Sequence, residues 1–183
     1  MNKINEALAY IISKTSFKPN FGIILGTGLG KLVDEIEIET EISYNDIPNF
    51  ATSTVESHAG KLIFGILGGK KVVCMQGRFH YYEGYTMDEV VFPVRVMKLL
   101  GIKKLIISNA AGGLNPAMQT ADLMIIKDHI NLQPNNPLVG KNLDELGPRF
   151  PDMMKTYDEN LRADGLKIAK ENNIPIHEGV YVS

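Results

Sequence analysis

The chain has little of what marks a specialised protein. It has one cysteine, Cys74, so no disulfide can form within it. The apolar run Val72-Val73-Cys74-Met75 around that thiol reads as a buried structural position. No apolar stretch approaches the ~18 residues of a membrane span. The N-terminal MNKINEALAYIISK has neither a long apolar core nor a small-residue cleavage site, so it does not read as a secretory leader. Neither sign of charge dominates: 19 Lys and Arg against 21 Asp and Glu give a net charge of -2. That argues against a nucleic-acid surface but leaves room for a small anion site, which one Arg and a few N–H groups can form. Tryptophan is absent and selects no function class. No His, Cys and Asp stand at metal-ligand spacing. By elimination the reading is a soluble cytoplasmic protein with no membrane and no nucleic-acid partner.

What is present suits one globular domain over residues 1–183, since a chain of 183 residues buries roughly 70% of its unfolded surface and needs no staple. Ile4, Leu8, Ile11 and Ile12 share one helical face, which predicts a helix over 3–13. Phe21–Leu25 reads as a strand buried on both faces. A short helix follows over 30–36. Ile36, Ile38 and Ile42 alternate with Glu37, Glu39 and Glu41, as in a half-exposed strand. Lys61–Leu67 and Lys71–Gln76 read as a hairpin turned by Gly68-Gly69. Thr86 and Glu89 form a capping-box pattern for a helix to about Leu100, with a kink expected at Pro93. Lys104–Ser108 reads as a buried strand and Asp122–Ile126 as another. The proline-rich stretch 131–151 reads as a functional or interface loop. A helix over Tyr157–Lys170 and a strand beginning at Val180–Val182 close the series. Strands interleaved with helices indicate an α/β fold with a mixed, largely parallel central sheet flanked by helices.

Ligands gather at the carboxyl ends of strands in such sheets, and three glycine-bearing loops follow strands: 26–30, 77–85 and 109–115. In Gly26-Thr27-Gly28-Leu29-Gly30 successive N–H groups can form an anion-binding concavity and Thr27 adds a hydroxyl. Alone, this stretch fits a tight strand-to-helix turn as well. It matches neither G-x-G-x-x-G nor the P-loop. In Gly77-Arg78-Phe79-His80, extended backbone would turn Arg78 and His80 the same way. A guanidinium fork beside an imidazole suits phosphate oxygens, against a surface Arg with a capping His. His58, in Ser57-His58-Ala59-Gly60, is balanced between an anion contact and a structural role. His129 and His177 lie beside apolar segments and read as structural.

In order and spacing, GIILGTGLG, STVESHAGKLIFG, MQGRFHYYEGY, FPVRVMKLLG, SNAAGGLN, DLMIIKDHINL and GPRFPDM resemble the purine nucleoside phosphorylases of the trimeric, inosine- and guanosine-cleaving type, from about residue 20 to Ser183. The methylthioadenosine phosphorylases share that fold, but NAAGG and GRFHYYEGY resemble the purine nucleoside branch. The resemblance implies phosphorolysis of purine ribonucleosides and 2′-deoxyribonucleosides, with inorganic phosphate as co-substrate and no cofactor or metal. It implies phosphate contacts from Thr27, where the family usually has Ser, from His58, Arg78 and His80, and from the backbone at Ala110. Tyr82 would pack near the ribose. Phe150 would project into the neighbouring subunit's site in a homotrimer.

The family pattern continues beyond Ser183. Its purine-recognising Glu and Asn, a further phosphate-binding Ser and a His near the ribose 5′-hydroxyl have no counterpart within residues 1–183. The expectation is therefore a phosphorylase domain incomplete at its C-terminus, inactive as residues 1–183 alone. Two other readings stand beside it: an inactive remnant that keeps the phosphate loops and subunit contacts, and a nucleotide-binding domain such as a dehydrogenase, which the glycine spacing disfavours.

Overall fold

The computed structural model describes residues 1–26, 28–51 and 60–183. They fall into two compact units, Met1–Ala110 with Leu143–Leu146, and Ala111–Asn142 with Gly147–Ser183.

The first unit opens with helix α1, Asn2–Lys14, followed by strand β1, Phe21–Ile24. A 3-10 segment, Gly30–Glu35, leads into β2, Glu37–Ser43. Strands β3, Lys61–Leu67, and β4, Lys70–Gln76, form the expected hairpin. Gly68 and Gly69 turn it at φ 53° and 72°, the left-handed pair of a type I′ turn, which matches the twist of the flanking strands. Helix α2, Met87–Leu99, starts on the Thr86/Glu89 capping box, with both reciprocal bonds formed, and runs on through a buried Pro93. Strand β5, Lys104–Ile107, ends the series. The sheet order is β2-β3-β4-β1-β5. β2, β3 and β4 pair antiparallel, whereas β1 lies parallel to β4 on one side and to β5 on the other.

Period-two alternation sends successive side chains to opposite faces of this sheet. Ile24, Leu62, Phe64, Val73 and Met75 meet Ile4, Ala7 and Ile11 of α1 and Phe92, Val96 and Met97 of α2 in one core. Ile23, Leu25, Ile63, Val72 and Cys74 form a second core with Val33 and Ile36. The three central strands read as continuous apolar runs because they serve both cores.

Two expectations need correction. Ile36, Ile38 and Ile42 do not share a face: Ile36 joins the second core and Ile42 the first, and Ile38 is 46% exposed. The pairing shifts between Ile38 and Thr40. This bulge reverses the phase of the strand, which an alternation count cannot see. β5 is likewise not buried: it sits at the sheet edge, and Ile106 and Ile107 are 49% and 57% exposed.

The second unit pairs β6, Leu123–Ile130, in parallel with β7, Ile176–Val182. Helix α3, Glu159–Glu171, lies between them in the chain and is capped by Asp158, whose side chain accepts from the Leu161 N–H. Gly165 lets α3 approach β6: a Cβ there would stand 2.9 Å from Ile125 Cδ1. His129 bonds through its two ring nitrogens to Tyr157 Oη (2.9 Å) and Ser183 Oγ (3.0 Å). His177 Nε2 lies 2.9 Å from an Asp122 carboxylate oxygen. Both histidines thus tie the unit together, in the structural role expected of them. No helix among the described residues is long and apolar enough to cross a membrane.

Cys74 is fully buried, and burial pushes its thiol from an ordinary value of 9.0 up to about 12. Between those two values the unfolded chain gives up the proton while the folded thiol keeps it. Stability should therefore fall as pH rises through this window, by about 1.4 kcal/mol per unit for this group. The thiol should resist an aromatic disulfide reagent in mildly alkaline buffer and react fully in denaturant. Rapid native labelling would show that the second core is open.

Candidate functional site

Three strands of one sheet run in the same direction side by side, so the segments that follow β1, β4 and β5 leave the sheet at one end. β3 runs the other way, which brings its start to that end too: Lys61 pairs with Gln76, and Gly60 Cα lies 3.7 Å from where a Cβ on Gly77 would stand. The sequence supplies a glycine-rich or polar stretch at each of these places.

The segment after β4 carries Arg78 and His80, and they are in direct contact. Arg78 Nε donates to His80 Nε2 at 3.0 Å, and Arg78 Nη1 donates to the Ser108 carbonyl at 2.6 Å. The second bond joins the end of β4 to the end of β5. On its other side, His80 Nδ1 lies 2.5 Å from Glu83 Oε1, which also accepts from the His80 backbone N–H at 3.1 Å. An imidazole nitrogen that accepts from Arg78 cannot carry a proton, so the ring proton sits on Nδ1 and faces the carboxylate. Glu83 thereby fixes both the tautomer and the ring plane. Residues 81–83 form a 3-10 turn in which the Glu83 N–H donates to the His80 carbonyl and Glu83 Oε1 accepts from the His80 N–H. Tyr82 stacks on the imidazole, with ring centroids 4.7 Å apart and planes 19° from parallel, and remains 83% exposed.

The segment after β1 approaches the end of β5 closely. Gly26 N donates to Ser108 Oγ at 2.9 Å, and Ser108 N donates to the Ile24 carbonyl at 3.0 Å. A Cβ on Gly26 would stand 2.5 Å from the Ser108 carbonyl oxygen, so any side chain there would force the two strand ends apart. Ala110, two residues beyond Ser108, is exposed. Tyr44 braces the same end of the sheet by donating from its hydroxyl to the Gly77 carbonyl at 2.8 Å.

Of the expected site residues, Arg78, His80 and Tyr82 form one interacting group. Ala110 lies two residues past the Ser108 that Arg78 holds. Thr27 and His58 lie outside the described residues. Phe150, in the second unit, is 86% exposed, with the Arg149 guanidinium 5.7 Å from its ring centroid; Arg149 Nη1 also donates to the Leu138 and Gly140 carbonyls. Sequence reasoning missed Glu83 and Ser108. The His80-x-x-Glu83 spacing of a helix cap was a readable signal for the first. Nothing local marked the second, because its partners are 30 and more positions away. Among the described residues no group of three or more His, Cys, Asp or Glu is arranged to hold a metal ion.

Comparison with known proteins agrees with this geometry. The family model described as the phosphorylase superfamily matches residues 20–183. Purine nucleoside phosphorylase 1 of Bacillus subtilis (strain 168) is 53% identical over 182 residues, which cover 100% of this chain and 67% of the relative. The crystal structure of a purine nucleoside phosphorylase from Schistosoma mansoni in complex with acetate superimposes with a TM-score of 0.95 at 49% identity, over 100% of this chain and 69% of that one. The Schistosoma mansoni enzyme in complex with inosine gives 0.94 at 48% identity, over 100% of this chain and 65% of that one. The chain thus spans about two thirds of the length of the proteins it matches. With a family match over nearly its whole length and a relative at this identity, the chain belongs to the phosphorylase superfamily and, within it, to the purine nucleoside phosphorylases.

Proposed function

We propose that the protein serves phosphorolysis of purine ribonucleosides and 2′-deoxyribonucleosides such as inosine and guanosine, releasing the free base and the pentose 1-phosphate. The observation that carries this reading is the interlocked Arg78–His80 pair at the end of three adjacent parallel strands. Inorganic phosphate is the co-substrate, and no cofactor enters the proposal. Phosphate would be held by Arg78, His80 and the backbone at Ala110, together with Thr27 and His58, which join the set on their motifs alone.

In the reaction a phosphate oxygen bonds to the anomeric carbon as the bond from that carbon to the purine nitrogen breaks. The bonding electrons leave with the base, which takes up a proton. The ribosyl group becomes cation-like on the way, and a dianion clamped beside it stabilises that charge. The guanidinium fork fits two phosphate oxygens at once. Phosphate can meet Arg78 at its Nη2 edge, which no described residue occupies, while the carboxylate of Glu83 keeps the neighbouring imidazole oriented. Tyr82, stacked on that imidazole and largely exposed, offers an aromatic wall for the ribose. We place residues 1–183 in a single phosphorylase domain of a cytoplasmic homotrimer, where Phe150 reaches the site of a neighbouring subunit. The exposed ring of Phe150 and the near-neutral charge of the chain support this reading.

Two tests follow, both on the whole protein. Replacing Arg78 by Ala should raise the KM for phosphate by about tenfold or more, the size of a lost charge-assisted contact, and change the KM for nucleoside far less. A phosphate KM within about twofold of the parent would overturn the assignment. Phe150→Ala should raise the nucleoside KM and leave the melting temperature of the subunit unchanged, since the ring is exposed. A protein that is monomeric by light scattering and fully active would sink the trimer and the role of Phe150 together.

A further inference from the structure

Ser108 is where the three strand ends meet. Its N–H donates to Ile24 O (3.0 Å), its Oγ accepts from Gly26 N (2.9 Å), and its carbonyl accepts from Arg78 Nη1 (2.6 Å). The hydroxyl can accept from Gly26 while its own proton lies toward the Ile24 carbonyl, 3.5 Å away. One residue thus holds the loop that begins at Gly26 with its side chain and Arg78 with its backbone.

We infer that Ser108 is a positioning residue of the phosphate site: its hydroxyl holds the Gly26 N–H at the end of β1 and its carbonyl holds the Arg78 guanidinium, so that the two keep a fixed distance from each other. This rests on the phosphate reading above. The geometry leaves few substitutes. Gly26 and the Ser108 backbone are so close that a hydroxyl on the Cβ of residue 108 reaches the Gly26 N–H directly. An alanine at 108 would leave that N–H without its acceptor and the loop without its tether to β5. Arg78 is oriented by two fixed acceptors, Ser108 O and His80 Nε2, which among the described residues leaves its Nη2 edge for a ligand. Its angle to the loop is then set by whatever ties the loop to residue 108.

The test compares Ser108→Ala with Ser108→Thr in the whole protein, through initial rates of inosine phosphorolysis with phosphate and nucleoside varied separately. Ser108→Ala should raise the phosphate KM by about tenfold, as for one hydrogen bond lost from a positioned site, with the nucleoside KM within about twofold. Ser108→Thr, which keeps the hydroxyl, should restore the phosphate KM. Inorganic phosphate should also raise the melting temperature of the parent and of Ser108→Thr more than that of Ser108→Ala. If the alanine variant does not fold, Ser108→Cys, a weaker acceptor, takes its place with an intermediate shift expected. A melting temperature that drops while the phosphate KM stays at the parent value would make Ser108 purely structural and overturn the inference. So would a parallel rise of both KM values. If Arg78→Ala itself leaves the phosphate KM unchanged, the phosphate reading fails first and this inference falls with it.

Discussion

The parallel pairing of β1 with β4 on one side and β5 on the other is the constraint on which the rest depends. Parallel neighbours end at the same side of a sheet, so segments far apart in sequence leave the sheet together. β1 and β4 had to be apolar on both faces to sit between two cores, and each of the three strands had to end in small or polar residues to leave the sheet without burying unpaired backbone groups. Gly26 and Ser108 meet that need as a pair: the glycine admits the close approach and the serine supplies the acceptor. Arg78 then adds a second tie across the same ends. The candidate site is therefore the termination of the sheet, built from groups that the sheet's own geometry left facing one another.

His80 shows how neighbouring polar side chains can order one another. Its imidazole is fixed on three sides, by the Arg78 Nε–H, the Glu83 carboxylate and the Tyr82 ring. All but the stacking ring are hydrogen-bonding partners, so the arrangement satisfies the guanidinium locally and keeps the side chains from scattering into solvent. The entropy of ordering them is met within the fold itself, which is what preorganisation would require of a binding site.

Much of this was legible in the sequence because it was local. The capping box at Thr86 and Glu89, the Gly68-Gly69 turn and the double-faced strands are set by residues within a few positions of one another, and the Arg78/His80 pair is separated by one residue. What was not legible depended on distant partners. The edge position of β5 follows from strand order, which no window of sequence contains, so Ile106 and Ile107 read as buried although they are half exposed. The bulge between Ile38 and Thr40 inverted the faces of β2 because register belongs to a pair of strands. Ser108 looked like the first letter of a loop motif, and only the return of the chain from Ile24 and Arg78 gives it a role. The fold class came through because interleaved apolar runs suffice for it, while Thr27 and His58 rest on their motifs alone.

The bulge in β2 also bears on which changes in length the fold can absorb. One extra residue there lets Ile36 fill the second core while Ile42, six positions on, fills the first. Substituting a residue within the bulge alters one side chain. Removing a residue would shift the phase of everything on one side of it, so that either Ile36 or Ile42 would turn away from its core and leave a gap there. At this point in the chain the number of residues is under tighter control than their identity, and a deletion would be a graver lesion than any single replacement.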